Sequence, residues 1–391
     1  MEPTKSNRVS KLWMFLAKVA LVTLVQEETT QSEQDNPETI TPVSQEEDEL
    51  SKVKLPRKLP SIIDIKRSIP AHCYKSSVKT SLYFAIKDVV LIIVLYFIGE
   101  LLLKYLPLWA IVITAPLFWF IQGTIFTACF VIGHDCGHGS FSNYDLVNDT
   151  VGTIMHAFLM TPYFGWKISH KNHHKNTGNI DKDEVFYPIR KKLSTPGPAL
   201  PGFGLALGYF GYLVFGYEPR PVQHYNPFQK LYVKHVLGCC ISLGCLCFWS
   251  WCLYSYVMSE GCVKLFYHYI VPLFIFGSYT VIITFLHHTE EDIPWYSDEK
   301  WDNVRGQLSS VDRHYGIVHD VLHNITTHQI HHLFPKVPHY HLEEATRAFR
   351  AAYPELVNIR TDRALPAFWR MFKKYAKQSV IPNDTQVYLY K

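Results

Sequence analysis

Histidine is the residue type whose number and spacing point most directly to chemistry in this chain. The sequence has 391 residues, of which 20 are histidine. Residues three or four positions apart lie on one face of an α-helix, so a cluster with that spacing can aim several imidazoles at one region. Three clusters have it: His134 and His138 in HDCGH, His170, His173 and His174 in HKNHH, and His328, His331 and His332 in HQIHH. Because imidazole binds zinc, copper, iron and nickel, we interpret these eight residues as metal ligands.

The number of clustered histidines predicts more than one metal ion. At this histidine frequency, one H-x-x-H-H motif is expected only about 0.05 times by chance, yet the chain has two. Eight imidazoles exceed the needs of one zinc ion, which takes four protein ligands in structural sites and three in catalytic sites. A nitrogen-rich two-metal site at a membrane suits oxygen activation by iron, and the lack of thiolate partners argues against iron–sulfur clusters.

Other histidines extend or border this pattern. His288 is predicted as a ninth metal ligand, with His287 and His323 as alternatives. His339 and His341 are expected to have structural or hydrogen-bonding roles, and His72 is treated as an ordinary residue. Carboxylates near the clusters could accept the outer N–H of a ligand imidazole or be solvated loop charges. These are Asp135, Asp181, Asp183, Glu184 and Asp312.

Long apolar runs are the elements that must position these histidines. Hydrophobic residues make up 48% of the chain and charged residues only 18%, where about a quarter is usual for soluble domains. Runs near 82–102, 108–132, 237–258 and 265–286 are each long enough to cross a bilayer. They predict an all-α integral membrane protein whose four transmembrane helices form two hairpins.

Loop charges orient these helices. Lysine and arginine are concentrated before the first run and after the second, which places both segments in the cytosol. Both termini and all three histidine clusters are then cytosolic, and we expect a cytosolic helical cap to hold the metal site. The net charge of +4 is accordingly assigned to membrane orientation and not to nucleic-acid binding.

The regions outside the runs give weaker predictions. Residues 1–54 are predicted to be a disordered tail, because 27–49 are acidic and lack lysine and arginine. Within that tail, the apolar segment 12–25 is too short to span and could lie on a membrane surface or act as a signal peptide. The Gly- and Pro-rich segment 198–217 is predicted to be interfacial or re-entrant, and 361–391 a cytosolic C-terminal tail. The nine cysteines are expected to be reduced.

The clusters and their flanks resemble a known family. HDCGHGSF, HKNHHKNTGNIDKDEVFYP and HQIHHLFPKVPHYHLEEAT are similar to the three histidine boxes of membrane fatty acyl desaturases. With IPAHC and VRGQLSSVDRHYG, the resemblance covers about 65–360, so residues 55–360 are interpreted as the desaturase domain. Within the family, the chain resembles the methyl-end group in three features. They are the H-x-x-x-H spacing of the first box, the His328 that begins the third box, and the absence of a cytochrome b5 HPGG motif.

The resemblance implies a chemistry and its partners. Desaturases of this kind use a di-iron centre, O2 and two electrons to convert adjacent methylenes into a cis double bond. The electrons would come from cytochrome b5 and its NADH-dependent reductase, in the endoplasmic reticulum membrane. The substrate would be a membrane lipid or an acyl-CoA, and homo-oligomerisation stays open. The catalytic and metal-binding roles of the family's boxes carry over onto the eight clustered histidines, and a ninth ligand onto His288. His287 stands where a glutamine is expected.

The sequence leaves regioselectivity and some alternatives open. Two box regions look more like omega-3 enzymes and one like delta-12 enzymes, so an omega-3 (delta-15/delta-17) activity on C18–C20 polyunsaturated chains is preferred over delta-12. A di-iron hydroxylase is a further alternative. A metal transporter is disfavoured because Glu100 and His268 are nearly the only ionisable groups in the runs. Aromatic residues predicted to line an acyl tunnel are Trp109, Trp119, Phe120, Tyr163 and Trp166.

Overall fold

The described part of the chain is mainly helical. The computed structural model describes Pro56, residues 58–194 and residues 204–391. The predicted tail 1–54, with its apolar segment 12–25, and positions 198–203 lie outside these residues. The helices are α1 Ile62–Ser68, α2 Val78–Tyr105, α3 Leu108–His138, α4 Asp145–Phe158, α5 Tyr163–Asn176, α6 Ala206–Phe215, α7 Val236–Glu260, α8 Cys262–His288, α9 Asn303–Leu308, α10 His328–Leu333, α11 His339–Ala352 and α12 Ala364–Gln378.

Three of these helices are long and apolar enough to cross a membrane: α3, α7 and α8. This is consistent with the predicted all-α membrane protein. Helix α2 coincides with the first predicted run and has 28 residues, but it carries Lys87, Asp88 and Glu100 and does not meet the same criterion. The four-span arrangement therefore stays a prediction for α2.

Two groups of the predicted histidine ligands lie at the ends of long helices. Helix α3 begins after Pro107 and ends at Gly139, whose φ of 69° is the left-handed conformation that commonly terminates helices. The first histidine cluster therefore continues the membrane helix by one turn. Helix α8 likewise ends at His288, after a π-helical turn at Phe266–Ile270.

Helix α3 is the centre of the packing. It contacts α2, α4, α5 and α8, and the core around it includes Phe126, Phe130, Tyr209 and Phe276. The outer faces of α2 and α7 expose apolar side chains such as Phe97 and Trp251. Apolar faces of this extent are expected where helices contact lipid.

Short strands pair the end of the chain with Ile189–Arg190 and Trp295–Tyr296. We call residues 289–360, which include α9, α10 and α11, the cap. The described residues contain three two-stranded pairs, and α12 packs against the end of α8. Residues 361–391 thus form a helix and two strands. The pairs are β1 Ile189–Arg190 parallel to β5 Val380–Ile381, β2 Trp295–Tyr296 antiparallel to β6 Val387–Tyr388, and β3 Asp312–Arg313 parallel to β4 Ile359–Arg360.

Candidate metal centre

The helix ends and cap helices bring all nine predicted ligands to one place. Helices α3, α5, α8 and α10 each contribute imidazoles. Two groups of ring nitrogens result, and within each group these atoms lie within 4.8 Å of one another. The first group is His134, His138, His170, His174 and His331, and the second is His173, His288 and His332.

His328 joins the second group. Its Nε2 lies 3.0 Å from Nε2 of His288 and 2.9 Å from Nε2 of His332. We call the first five residues the first imidazole set, and His173, His288, His328 and His332 the second imidazole set. Within the first set, Nε2 of His174 lies 3.1 Å from that of His170 and 3.2 Å from that of His331.

The crowding of these nitrogens fits cation binding. Only one nitrogen of each close pair can carry the shared proton, and burial lowers the pKa of His170, His174 and His331, which favours neutral rings. With metal–nitrogen bonds of roughly 2.0–2.1 Å, ligands at right angles lie about 3 Å apart. His138 Nε2 is also buried and has no hydrogen-bond partner in the described chain. The donor sets therefore fit two metal ions.

Hydrogen bonds at the outer nitrogens turn two rings toward the centre. His173 Nδ1 lies 2.6 Å from Oδ1 of Asp183, so the ring donates to the carboxylate. His332 Nδ1 lies 3.1 Å from Oε1 of Gln307. Gln307 is held in that orientation because its Nε2 donates to the His174 carbonyl at 2.6 Å. Both rings thereby keep the Nε2 lone pair for a metal.

The five candidate carboxylates separate into different roles. Besides Asp183, Asp135 lies near the imidazoles, 3.5 Å from His134 Nδ1 and 2.9 Å from His339 Nδ1. The other three do not contact a ring of either set through hydrogen bonds. Asp181 pairs with Arg190, Asp312 accepts the Gln329 N–H and pairs with Arg350, and Glu184 accepts from Ser169 and Asn172.

The two alternative ninth ligands lie outside both sets. His287 contacts the Val311 carbonyl through Nδ1, and its Nε2 is 3.5 Å from the Tyr315 hydroxyl. His323 Nε2 is 2.6 Å from Asp88 Oδ2. His288 is therefore the candidate that the structure brings to the other ligands. Sequence reasoning missed Gln307 and Thr177, whose hydroxyl also contacts His332 Nδ1 at 3.1 Å. Both residues lie in stretches that carry the resemblance, but their spacing from His332 gives no sign of the contact.

An apolar cavity opens onto the imidazole sets. It is narrow, because the space in it that is open to a water-sized probe is about 100 Å³. Of the five predicted tunnel aromatics only Trp166 lines it; Trp109 and Phe120 lie exposed on the outer surface. That prediction was wrong for the others because sequence does not show which face of a helix is inward. The lining aromatics are Phe130, Trp166, Phe186, Tyr209, Tyr212 and Tyr217, and the lining histidines are His134, His170, His173, His288 and His328.

Comparisons with known proteins give one consistent result. The family model described as fatty acid desaturase matches residues 81–363. An sn-1 acyl-lipid omega-3 desaturase (ferredoxin) of Nostoc sp. is 36% identical over 80% of this chain and 87% of its own. An endoplasmic-reticulum omega-6 fatty acid desaturase of Glycine max is 37% identical over 83% and 89%. A delta(12)-oleate desaturase of Trichosanthes kirilowii is 36% identical over 80% and 89%.

Proposed function

The chain belongs to the fatty acid desaturase family, and we propose that it is a methyl-end acyl desaturase with a di-iron centre. The family membership and the oxidoreductase class predicted from the sequence are confirmed by the comparisons. In the proposed reaction, two adjacent methylenes lose two hydrogens and become a cis double bond. O2, two electrons and two protons complete the balance, and two waters leave.

One observation carries the proposal: nine imidazoles form two sets, and five of these imidazoles line an apolar cavity. An acyl chain offers no polar group near its methyl end, so a protein can select a C–C bond only by the shape and length of the channel. The cavity supplies that apolar shape. The imidazoles supply ligands for the metals that the family generally uses.

The protein residues have holding and positioning roles in this reaction. The two imidazole sets would hold one iron ion each, and Asp183 and Gln307 fix the rings of His173 and His332. When bound, the two irons supply the oxygen-activating chemistry that an unactivated methylene requires. Phe130, Trp166 and the other apolar lining residues exclude water and hold the chain in register.

We further propose cytochrome b5 and its NADH-dependent reductase as the electron source, in the endoplasmic reticulum membrane. Two similar proteins carry endoplasmic reticulum in their names, which supports this compartment. The Nostoc relative is named for ferredoxin, so the donor needs its own test. Purified protein supplied with NADH, reductase and cytochrome b5 should desaturate its acyl substrate. Activity with reduced ferredoxin but none with cytochrome b5 would contradict the proposed electron source.

For regioselectivity we propose omega-3 desaturation of C18–C20 polyunsaturated chains, with delta-12 desaturation as the second candidate. The first and third boxes support the former, and the stretch HHKNTGNIDKDEVFYP supports the latter. The named relatives are divided in the same way at nearly equal identity. The substrate carrier, phospholipid or CoA, is tested by following label in each pool.

The experiment is expression in yeast, with oleic, linoleic and arachidonic acids fed separately and products located by gas chromatography. Conversion of linoleic or arachidonic acid to its omega-3 partner is expected, whereas oleic-to-linoleic conversion alone would establish delta-12 activity. Hydroxy-acyl products alone would replace the desaturase by a hydroxylase. The control is His331→Ala, which removes a ligand of the first imidazole set; full activity in this variant with both irons bound would contradict the assigned site.

A further inference from the structure

A second cluster of metal-binding side chains lies apart from the imidazole sets. His72 and Cys73 belong to the single helical turn Ala71–Tyr74, which precedes α2. His341 and Glu344 lie one turn apart on α11. One donor atom from each of these four residues lies within 4.8 Å of the other three. None of the four belongs to the nine imidazoles, and sequence analysis assigned no metal to them.

The atoms of this cluster converge at distances close to those in metal sites. His72 Nε2 is 2.9 Å from Glu344 Oε2 and 3.8 Å from Cys73 Sγ. The rings of His72 and His341 meet edge to face with centroids 5.5 Å apart. In a tetrahedral zinc site with the usual bond lengths, neighbouring ligand atoms lie roughly 3.3–3.6 Å apart. The His72–Glu344 and His72–Cys73 distances each differ from this range by a few tenths of an ångström.

We propose that His72, Cys73, His341 and Glu344 bind one zinc ion. A thiolate, two imidazoles and a carboxylate are the ligand types that zinc takes, and four protein ligands make a closed, structural site. On binding, the Cys73 thiol loses its proton to solvent and the sulfur forms the metal bond. Cys73 is fully buried whereas His72 is largely exposed, so the ion enters from the surface.

A surface ion pair alone does not account for the cluster. The pair of His72 with Glu344 needs neither a buried thiol nor a second imidazole directed at the same point, and exposed pairs contribute little stability. Cys73 also packs in the apolar cluster that includes Ile65 and Phe349. Its sulfur is therefore held in place independently of the ion pair, as expected of a preformed ligand.

The proposed zinc joins the segment before α2 to α11. Helix α11 begins at His339, whose Nδ1 and backbone N–H contact Asp135 beside the first imidazole set. Zinc would therefore hold α11 in place, and the first residue of α11 contacts Asp135 beside the candidate iron centre. The prediction is that zinc loss lowers the thermal stability of the cap without removing any of the nine imidazoles.

The test uses full-length protein purified in detergent from yeast. Metal analysis of the wild type should give about one zinc per chain in addition to iron. Cys73→Ser and His341→Ala should lose the zinc and keep the iron. Cys262→Ser, which changes the exposed cysteine that begins α8, is the matched control and should keep both metals.

Cobalt distinguishes this site from zinc misplaced in the imidazole sets. Replacement of zinc by Co²⁺ should produce a thiolate-to-cobalt charge-transfer band in the wild type and in Cys262→Ser, but not in Cys73→Ser. Absence of that band in wild-type protein titrated with excess Co²⁺, or zinc retained by both Cys73→Ser and His341→Ala, would overturn the proposal. If the variants aggregate, the wild-type cobalt spectrum still decides the result.

Discussion

Asp183 and Asp181 show how two neighbouring carboxylates acquire different roles. Both were candidates for supporting a ligand, yet only Asp183 reaches an imidazole, at 2.6 Å from His173 Nδ1. Its other oxygen accepts the Gly178 backbone N–H at 2.9 Å, which fixes the carboxylate. Asp181 instead pairs with Arg190. The two side chains thus reach different partners, which residue spacing alone does not reveal.

We expect Asp183→Asn to weaken metal binding or activity by about 10–100-fold, as is typical when a partner of a ligand imidazole is changed. The amide can still accept from His173 but no longer makes the ring more basic. The measurements are iron content per chain and turnover in the yeast assay. Asp181→Asn is the matched control and should change neither. Equal losses in both variants would mean that the loop fold, and not ligand orientation, is what the substitutions disturb.

Glu184 carries the clearest pH dependence outside the membrane helices. Burial raises its pKa from 4.5 to about 7, against the lowering effect of the hydrogen bonds from Ser169 and Asn172. The folded state therefore holds a proton that the unfolded state has already lost. The resulting stability is present below pH 4.5 and is lost as the pH rises through about 7, which amounts to roughly 3 kcal/mol.

Glu184→Gln should remove this dependence because the amide is neutral at every pH. We expect the variant and the wild type to melt at similar temperatures at pH 5, and the variant to melt several degrees higher at pH 8. Thermal unfolding of purified protein measures this. Glu299→Gln, at an exposed position, should follow the wild type. A constant difference between Glu184→Gln and wild type across this pH range would contradict a buried, protonated Glu184.

At the scale of elements, the helices extend beyond the apolar runs from which they were predicted. The run at 108–132 is part of α3, which continues to His138. A helix of 31 residues is about 46 Å long, whereas the hydrocarbon core is about 30 Å thick. We therefore expect the excess length to project the first histidine cluster out of the lipid. Hydropathy predicts the part of α3 that crosses the membrane. It does not predict the last turn, because that turn contains histidine, which is not apolar.

What the sequence could and could not predict follows from the range of the interactions. Local spacing found eight of the nine imidazoles, the resemblance added His288, and run length found the long helices. The partners Gln307 and Thr177 lie 25 and 155 positions from His332 along the chain, so no local pattern contains them. The prediction of the tunnel residues failed for the same reason. Because α3 is hydrophobic on all faces, its sequence does not show which side packs against α8.

Helix α7 allows a test of lipid contact. Its central residues Phe248 and Trp251 are exposed, as is Met258 near its end. Lysine at the centre of a membrane helix costs about 2.5–3.5 kcal/mol of insertion free energy, but near the end it reaches the interface. We therefore expect Phe248→Lys to reduce α7 insertion into microsomes strongly and Met258→Lys to have little effect. Equal effects of both changes would contradict the placement of residue 248 in the hydrocarbon core.

At the scale of the whole molecule, one buried and one partly exposed group of charge pairs explain how α2 can lie in a membrane. Asp88 contacts His323 at 2.6 Å, and Glu100 contacts Lys264 at 2.7 Å and His268 at 2.8 Å. Charges within a bilayer are tolerated when they are paired and face the protein interior. These pairs attach the first part of α2 to the cap and its last part to α8. In the sequence, such charges argue against a membrane-spanning helix, although in the fold they are neutralised by pairing.

The direction of the helices then fixes the topology that we predict. Helices α3 and α8 both end at the imidazole sets, and α2 begins on that side because Asp88 meets His323. The turns at Leu106–Pro107 and Gly261 consequently lie on the opposite side of the membrane. With four spans, both ends of residues 58–391 share the side of the imidazoles, which the loop charges assign to the cytosol.

Glycosylation tests this topology. The chain has three Asn-x-Thr acceptors, at Asn148, Asn324 and the exposed Asn383, and all three should stay unmodified because oligosaccharide transfer occurs in the lumen. A flexible loop with one Asn-Gly-Thr acceptor, inserted at Gly261, should be modified, and the same loop with Gln in place of its Asn is the control. The measurement is the mobility shift removed by endoglycosidase in microsomes. Modification of Asn383 with none at the inserted loop would reverse the orientation. Modification at both would mean that α8 does not cross, since an odd number of spans between the two sites places them on opposite sides of the membrane.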